Sequence, residues 1–434
     1  MPSNRTLRWL SGLATMLVAA TAGATDLACG PIDFGDDVIH QAKGTVRFSQ
    51  FNASLNRFNE GDLIADLSDG SNAQAAAVAE IIQRVRPDVL LINEFDFDAN
   101  GTAAHLFQAN YLGVSQNGAA PIHYRFVYQA PSNTGIPAGF DFNNDGSVGG
   151  PNDAFGFGFF PGQFGMLMLS KYPILDHRIR TFQDFLWADM PGALLPDDPA
   201  TPEPADWYSA EELNVFRLSS KSHWDVPIRI GYGVVHVLVS HPTPPVFDDP
   251  PFTPEGVDFN GRRNHDEIRF WADYVGPRRD ATYIVDDHGR RGGLRAWGNR
   301  RFVIMGDQNA DPFDGDSTGN AILQLLDNPR VDSSVAPGSA GGVFAAAAQG
   351  GANADHLGSP FVDTADFADG APGNLRVDYV LPSKRGLEPT CGGVFWPQPQ
   401  EAAFELVGNF PFPSSDHRMI WLDIEVDSRP WYRW

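Results

Sequence analysis

Cysteine is nearly missing from this chain. Its 434 residues hold two, Cys29 and Cys391, too few for a disulfide-dense scaffold. Positive charge is also short, with 31 Lys and Arg against 54 Asp and Glu and a net charge of −23. A body this acidic repels phosphate-rich polymers overall, because affinity for them comes from cationic contacts. Long hydrophobic runs are absent. The longest near the N-terminus, Leu13–Ala20, falls short of the ~20 residues that span a bilayer. Internal repeats and a linker between two cores are missing too, which points to one large domain over residues 25–434.

The N-terminus carries an address instead. Arg5 and Arg8 precede the apolar run, and Ala22-Gly23-Ala24 follows it with small residues. This pattern predicts a secretory signal over residues 1–24 and a secreted or periplasmic location. Export would bring the two cysteines into an oxidising compartment, where Cys29 and Cys391 are expected to pair.

What is present is ordinary globular material, 42% hydrophobic and 20% charged. TVRFSQFN (45–52) alternates like a strand, and QAAAVAEIIQRVR (74–86) reads as an amphipathic helix stopped by Pro87. DVLLIN (88–93) then has the apolar continuity of a strand buried on both faces. Further strands are expected at 165–169, 234–240, 302–305, 377–381 and 419–426. A helix is expected over 264–274, with Asn264 as its cap and Glu267 in the capping-box position. Loops rich in Pro, Gly and acids at 187–210, 242–260 and 335–375 are long enough to be functional insertions.

Candidate chemistry sits at the strand ends. Asn52 closes the first strand and Glu94 follows DVLLIN, a carboxylate suited to a hard divalent cation. VLVSHPTPP fixes His241 between a strand and a rigid turn. FVIMGDQNADP ends a buried strand in Gly306 and then offers Asp307 and Asn309, two apart and so facing one way if extended. LRVDYVLPS buries Asp378 among apolar neighbours, where it needs a partner. SSDHRMIWLDIEV sets Asp416 and His417 at a strand entrance, as a metal ligand beside a general base.

In this order the motifs, with LSKYPI at 169–174, resemble the endonuclease/exonuclease/phosphatase superfamily over roughly residues 44–426. The resemblance implies an α/β four-layer sandwich, two packed mixed sheets flanked by helices. It also implies Glu94 as metal carboxylate with Asn52 and Asp416, and His417 as general base oriented by Asp378. Asp307 and Asn309 would position nucleophile and phosphoryl oxygens, with His241 as acid for the leaving oxygen. Mg²⁺ or Mn²⁺ is the implied cofactor.

Two further features fall outside those motifs. Arg217, Lys221 and His223 in RLSSKSHWD, with Arg262 and Arg263 opening an arginine-rich stretch that runs to Arg301, form either a cationic substrate lining or ordinary polar surface. DFNNDGSVGGPND spaces Asp141, Asn143, Asp145, Gly146 and Asp153 like the start of a calcium loop, with structural Ca²⁺ set against a metal-free Asx turn. The expected activity is hydrolysis of small phosphate esters. The alternatives are an extracellular nuclease with nucleic acid as substrate, a sphingomyelinase-like phospholipase, and a calcium-braced surface protein without catalysis. No transmembrane segment after the leader and no protein partner are implied.

Overall fold

Every predicted strand forms, and burial along them explains how two sheets stack. In the computed structural model, residues 32, 34–35, 38–248, 257–294 and 300–427 are described. The proposed leader and Cys29 lie outside the described residues; Cys391 is buried in a strand. In chain order the strands are β1 (Val46–Leu55), β2 (Val89–Phe95), β3 (Phe126–Tyr128), β4 (Met166–Ser170), β5 (Arg180–Thr181), β6 (His223–Ile230) and β7 (Gly233–Ser240). They continue with β8 (Arg301–Asp307), β9 (Ala365–Asp366), β10 (Asn374–Leu375), β11 (Asp378–Pro382), β12 (Leu387–Val394) and β13 (Ile420–Val426). Three helices matter here: α1 (Ala73–Val85), α2 (Phe259–Val275) and α3 (Ala340–Gln349).

One six-stranded sheet runs β12-β13-β1-β2-β4-β3, and a five-stranded sheet runs β11-β8-β7-β6-β5. Both are mixed: β1 and β2 are parallel, as are β7 and β8, while the other pairs are antiparallel. A short β9–β10 ribbon stands apart. Val303 and Met305 of β8 face the core between the sheets, where Val237, Val239 and Val380 meet Phe48 and Leu91. Phe302 and Ile304 point the other way, onto Trp271 and Val275 of α2. Two-sided burial of this kind produces a continuous apolar strand sequence. The result is the expected sandwich of two mixed sheets flanked by helices.

Helix α1 starts where Asn72 accepts from the Ala75 backbone N–H, and it ends at Arg86 in the left-handed region. Helix α2 corrects the expectation for its start. It begins at Phe259 with Asp258 as cap, so Asn264 and Glu267 are interior residues. The hydrophobic positions within it hid the first turn, whose polar residues carry no periodic signal. Asn264 instead donates to the carbonyls of Thr243 and Gln308, and Glu267 accepts from the backbone N–H groups of Ser220 and Thr243. These bonds hold together the loops that follow β7 and β8. No helix among the described residues is long and apolar enough to cross a membrane.

Candidate active site

Parallel pairing of β1 with β2, and of β7 with β8, brings four strand ends to one end of the sandwich. Antiparallel pairing adds the N-terminal ends of β11 and β13: Asp378 lies opposite Asp307, and Ile420 opposite Gln50. Every candidate of the catalytic and metal sets therefore comes from one end of the fold.

Asp307 is the hub. Its Oδ2 accepts from Asn52 Nδ2 at 3.0 Å, lies 3.3 Å from His241 Nε2 and lies 3.7 Å from His417 Nε2. Its Oδ1 accepts from the Asn309 backbone N–H, and its own N–H donates to Asn93 Oδ1. Burial opposes a charge on Asp307, but His417 and His241 outweigh it and hold the carboxyl well below its usual range. His417 Nδ1 meets Asp378 Oδ2 at 2.9 Å. Burial works against the imidazolium there too, yet Asp378 and Asp307 keep its pKa well above that of a free histidine. The result is a buried imidazole between two carboxylates.

Glu94 lies on the other side of Asn52, whose amide donates to Glu94 Oε1 at 3.1 Å. Asn56 donates to Oε2 at 2.7 Å. Burial, assisted by the nearby charge of Asp416, raises the Glu94 pKa against the Asn52 bond. Glu94 also sits at φ 57°, a left-handed geometry that non-glycine residues adopt at a cost and that recurs at functional sites. Asp416 Oδ1 is held by Ser54 Oγ at 3.3 Å.

Several expectations need correcting. Asn309 does not face Asp307 along an extended chain: it has φ 50°, and its side-chain amide donates to Pro242 O at 3.1 Å. It closes a turn over Asp307. Burial lowers the His241 pKa to about 4, and Nδ1 has no hydrogen-bond partner. His241 thus lies against Asp307, with Nε2 placed to orient that carboxylate. Most of the supposed cationic lining is structural. His223 is a core ring between Phe270 and Trp271, bonded to Glu267 O and Ser219 Oγ. Arg263 clamps the carbonyls of Leu218, Phe155 and Arg217, and Arg262 reaches Leu195 O. Arg217 is spent on Asn133 and Asp184 over the Phe155 ring. The exception is Lys221, which is buried beside Glu267, Glu94 and Asp307; burial lowers its pKa and those acids oppose the shift.

The Asp141 loop is closed by its own backbone. Asp141 accepts from the N–H groups of Asp145 and Gly146, and Asp153 from those of Phe142 and Gly149. Its three carboxylates do not converge as ligands. Among the described residues the ligand group that does converge is Asp307, Asp378 and His417, with one ligand atom from each within 4.8 Å of the others. Asn93 and Asn56 were missed from the sequence. Asn93 hides inside an apolar strand run, and Asn56 has no neighbouring motif.

A model of the Endonuclease/Exonuclease/phosphatase family matches residues 50–417. The chain belongs to that family. It is accordingly a metal-dependent phosphoester hydrolase. No curated protein sequence matches the chain. Solved structures with a similar course include an endonuclease/exonuclease/phosphatase from Beutenbergia cavernae, 16% identical, with TM-score 0.43, covering 88% of this chain and 72% of that one. Sphingomyelinase C from Streptomyces griseocarneus is 15% identical with TM-score 0.40, over 87% and 99% of the two chains. A mannosyl-6-phosphatase from Bacteroides thetaiotaomicron is 10% identical with TM-score 0.39, over 87% and 99%.

The donor chemistry of this family member fits a hard divalent cation. Glu94, Asn52 and Asp416 offer oxygens, and mutual repulsion of Glu94 and Asp416 is relieved by a positive charge. In the Asp307–Asp378–His417 group the His417–Asp378 bond holds the imidazole between two carboxylates, which suits proton handling.

Proposed function

We propose that this chain is an exported, Mg²⁺- or Mn²⁺-dependent phosphodiesterase or phosphatase acting on small, non-polymeric phosphate esters. One observation carries the reading: a single buried carboxylate, Asp307, meets Asn52, His241 and His417, and His417 is backed by Asp378. Glu94, Asn52 and Asp416 would hold the cation, which when bound neutralises charge on the phosphoryl group. His417 would become a competent base once the negative field of Asp307 and Asp416, which raises its pKa, is offset. It takes the proton of the attacking water, and Asp378 stabilises the imidazolium so formed. Lys221, buried beside Glu94 and Asp307, is the cation that would meet the phosphoryl oxygens, and the leaving oxygen departs with the electrons of the broken P–O bond. His241 fixes Asp307 throughout.

The acidic body supports a small ester over a nucleic acid. The N-terminal pattern and the expected Cys29–Cys391 pair support export. The test is hydrolysis of bis-p-nitrophenyl phosphate, p-nitrophenyl phosphate and plasmid DNA by purified protein, with each divalent metal in turn. Metal-dependent turnover of the small esters, lost in His417→Ala, is expected. No turnover with any metal sinks the proposal, as does a preference for DNA that falls steeply with salt.

A further inference from the structure

Two loops at the catalytic end carry no charged residue, in a chain that is 20% charged: FGFGFFPGQF at 155–164 and LVGNFPFPSS at 406–415. The first leads into β4, whose Met166 pairs with Asn93 one residue before Glu94. The second ends beside Asp416. Both present phenylalanine to water. Phe157 is 50% exposed, Phe159 51% and Phe410 85%, and Phe58, two residues after Asn56, is 69% exposed. Phe58 packs on Phe159 at 4.9 Å between ring centroids, and Phe157 on Phe159 at 5.7 Å. Two residues of chain span at most about 7 Å, so Phe58 lies close to the Asn56 amide that binds Glu94.

These rings are held out. A Cβ on Gly156 would stand 1.8 Å from Ser220 O, and one on Gly165 2.8 Å from Phe95 O, so the glycines are pressed against backbone while the phenylalanines between them project. Phe410 leans on Phe412 at 6.0 Å. The Phe412 ring lies 5.0 Å from the Arg418 guanidinium, itself fixed by Ser415 O and Asp366. Phe58, Phe157 and Phe159 form one cluster of exposed rings, and Phe410 projects from the loop that leads to Asp416; clustered exposed rings mark a binding surface, unlike scattered single ones. A planar base is a poor occupant. The Phe58, Phe157 and Phe159 rings are inclined 40° and 81° to one another, so they form no parallel slot, and neither loop offers a cation for a polynucleotide backbone. Rigid, uncharged, aromatic loops around the mouth of an acidic molecule match a neutral or zwitterionic lipid surface.

We infer that the catalytic mouth docks on a neutral or zwitterionic amphiphile surface through Phe58, Phe157, Phe159 and Phe410, and that its substrate is a phosphate ester bearing an acyl or alkyl chain. The ester part rests on the proposed function; the docking does not. The test has three readouts on the metal-loaded protein. They are co-sedimentation with phosphatidylcholine vesicles, the rate on a short-chain phosphatidylcholine across its critical micelle concentration, and the rate on soluble bis-p-nitrophenyl phosphate. Wild type is expected to sediment with the vesicles and to accelerate sharply once micelles form. Phe58→Ser, Phe159→Ser and Phe410→Ser should each weaken vesicle binding about tenfold. Their rate on the soluble diester should stay unchanged, and Phe410→Leu should keep most of the binding. Wild type left in the supernatant, with a rate that crosses the micelle threshold without a break, overturns the inference. Vesicle binding without hydrolysis of any ester would support docking while sinking the catalytic reading.

Discussion

Asp307 shows how one buried side chain organises a site. Four groups converge on it from β1, β7, β13 and its own turn, and removing any one leaves a buried charge less compensated. His417→Ala should lower kcat by about 10²–10⁴-fold, the range of a lost acid-base group, with unchanged circular dichroism. Asp378→Asn removes a carboxylate that raises the His417 pKa, so the acid limb of the kcat/KM profile should move to lower pH. A limb that stays in place would show that His417 is not the titrating base. Asp363 is a separate case. It is buried near Asp311 and Asp314, and burial pushes its pKa up to about 8. A carboxyl whose folded pKa is raised binds its proton more tightly when folded. Its favourable contribution is therefore full below about pH 4 and is lost as pH rises through about 8. Asp363→Asn should raise the Tm at pH 8–9 relative to wild type and leave it unchanged near pH 3.5 (thermal melts at both pH values decide it).

At the scale of elements, α2 acts as a clamp. Asn264 joins the loops after β7 and β8, and these loops carry His241 and Asn309. Asn264→Ala leaves two buried carbonyls without their donor, at a cost of about 1–3 kcal/mol. Urea unfolding should show that loss, and kcat should fall along with it because both catalytic loops loosen. Arg47 plays a matching part at the other end of the first sheet. Fully buried, it binds both oxygens of Asp423 on β13 at 2.6 and 2.8 Å and the carbonyls of Ile39, His40 and Val85. It ties the neighbouring strands β1 and β13 to the end of α1.

For the whole molecule, the two sheets bring carboxylates from both halves of the chain into one mouth on a body of charge −23. A divalent cation that binds only the folded form stabilises it by mass action, about 2.7 kcal/mol at a hundred times its Kd. Chelation with EDTA should therefore abolish turnover and lower the Tm, and added Mg²⁺ or Mn²⁺ should restore both. A Tm indifferent to chelation would place the cation with the substrate instead of with Glu94 and Asp416.

Much of this was legible in the order of the residues. Apolar strands such as DVLLIN and FVIM declare themselves because burial on both faces leaves no polar position, and Glu94, Asp307, Asp378 and His417 stand out as polar residues just where such strands begin or end. Strand β6 escaped notice because His223 and Asp225 interrupt it, each bonded in part to partners distant in sequence. For the same reason the sequence left open whether Arg217, His223 and Arg263 line a substrate site: whether a cation faces solvent or a backbone carbonyl is a question of packing, not of composition. The chain by itself thus determined seven of the strands and the family motifs, because periodicity and chemistry are local. Only the tertiary structure decided which oxygens meet at Asp307, what Asn264 and Glu267 hold, and which phenylalanines remain outside, because each depends on contacts between residues far apart along the chain.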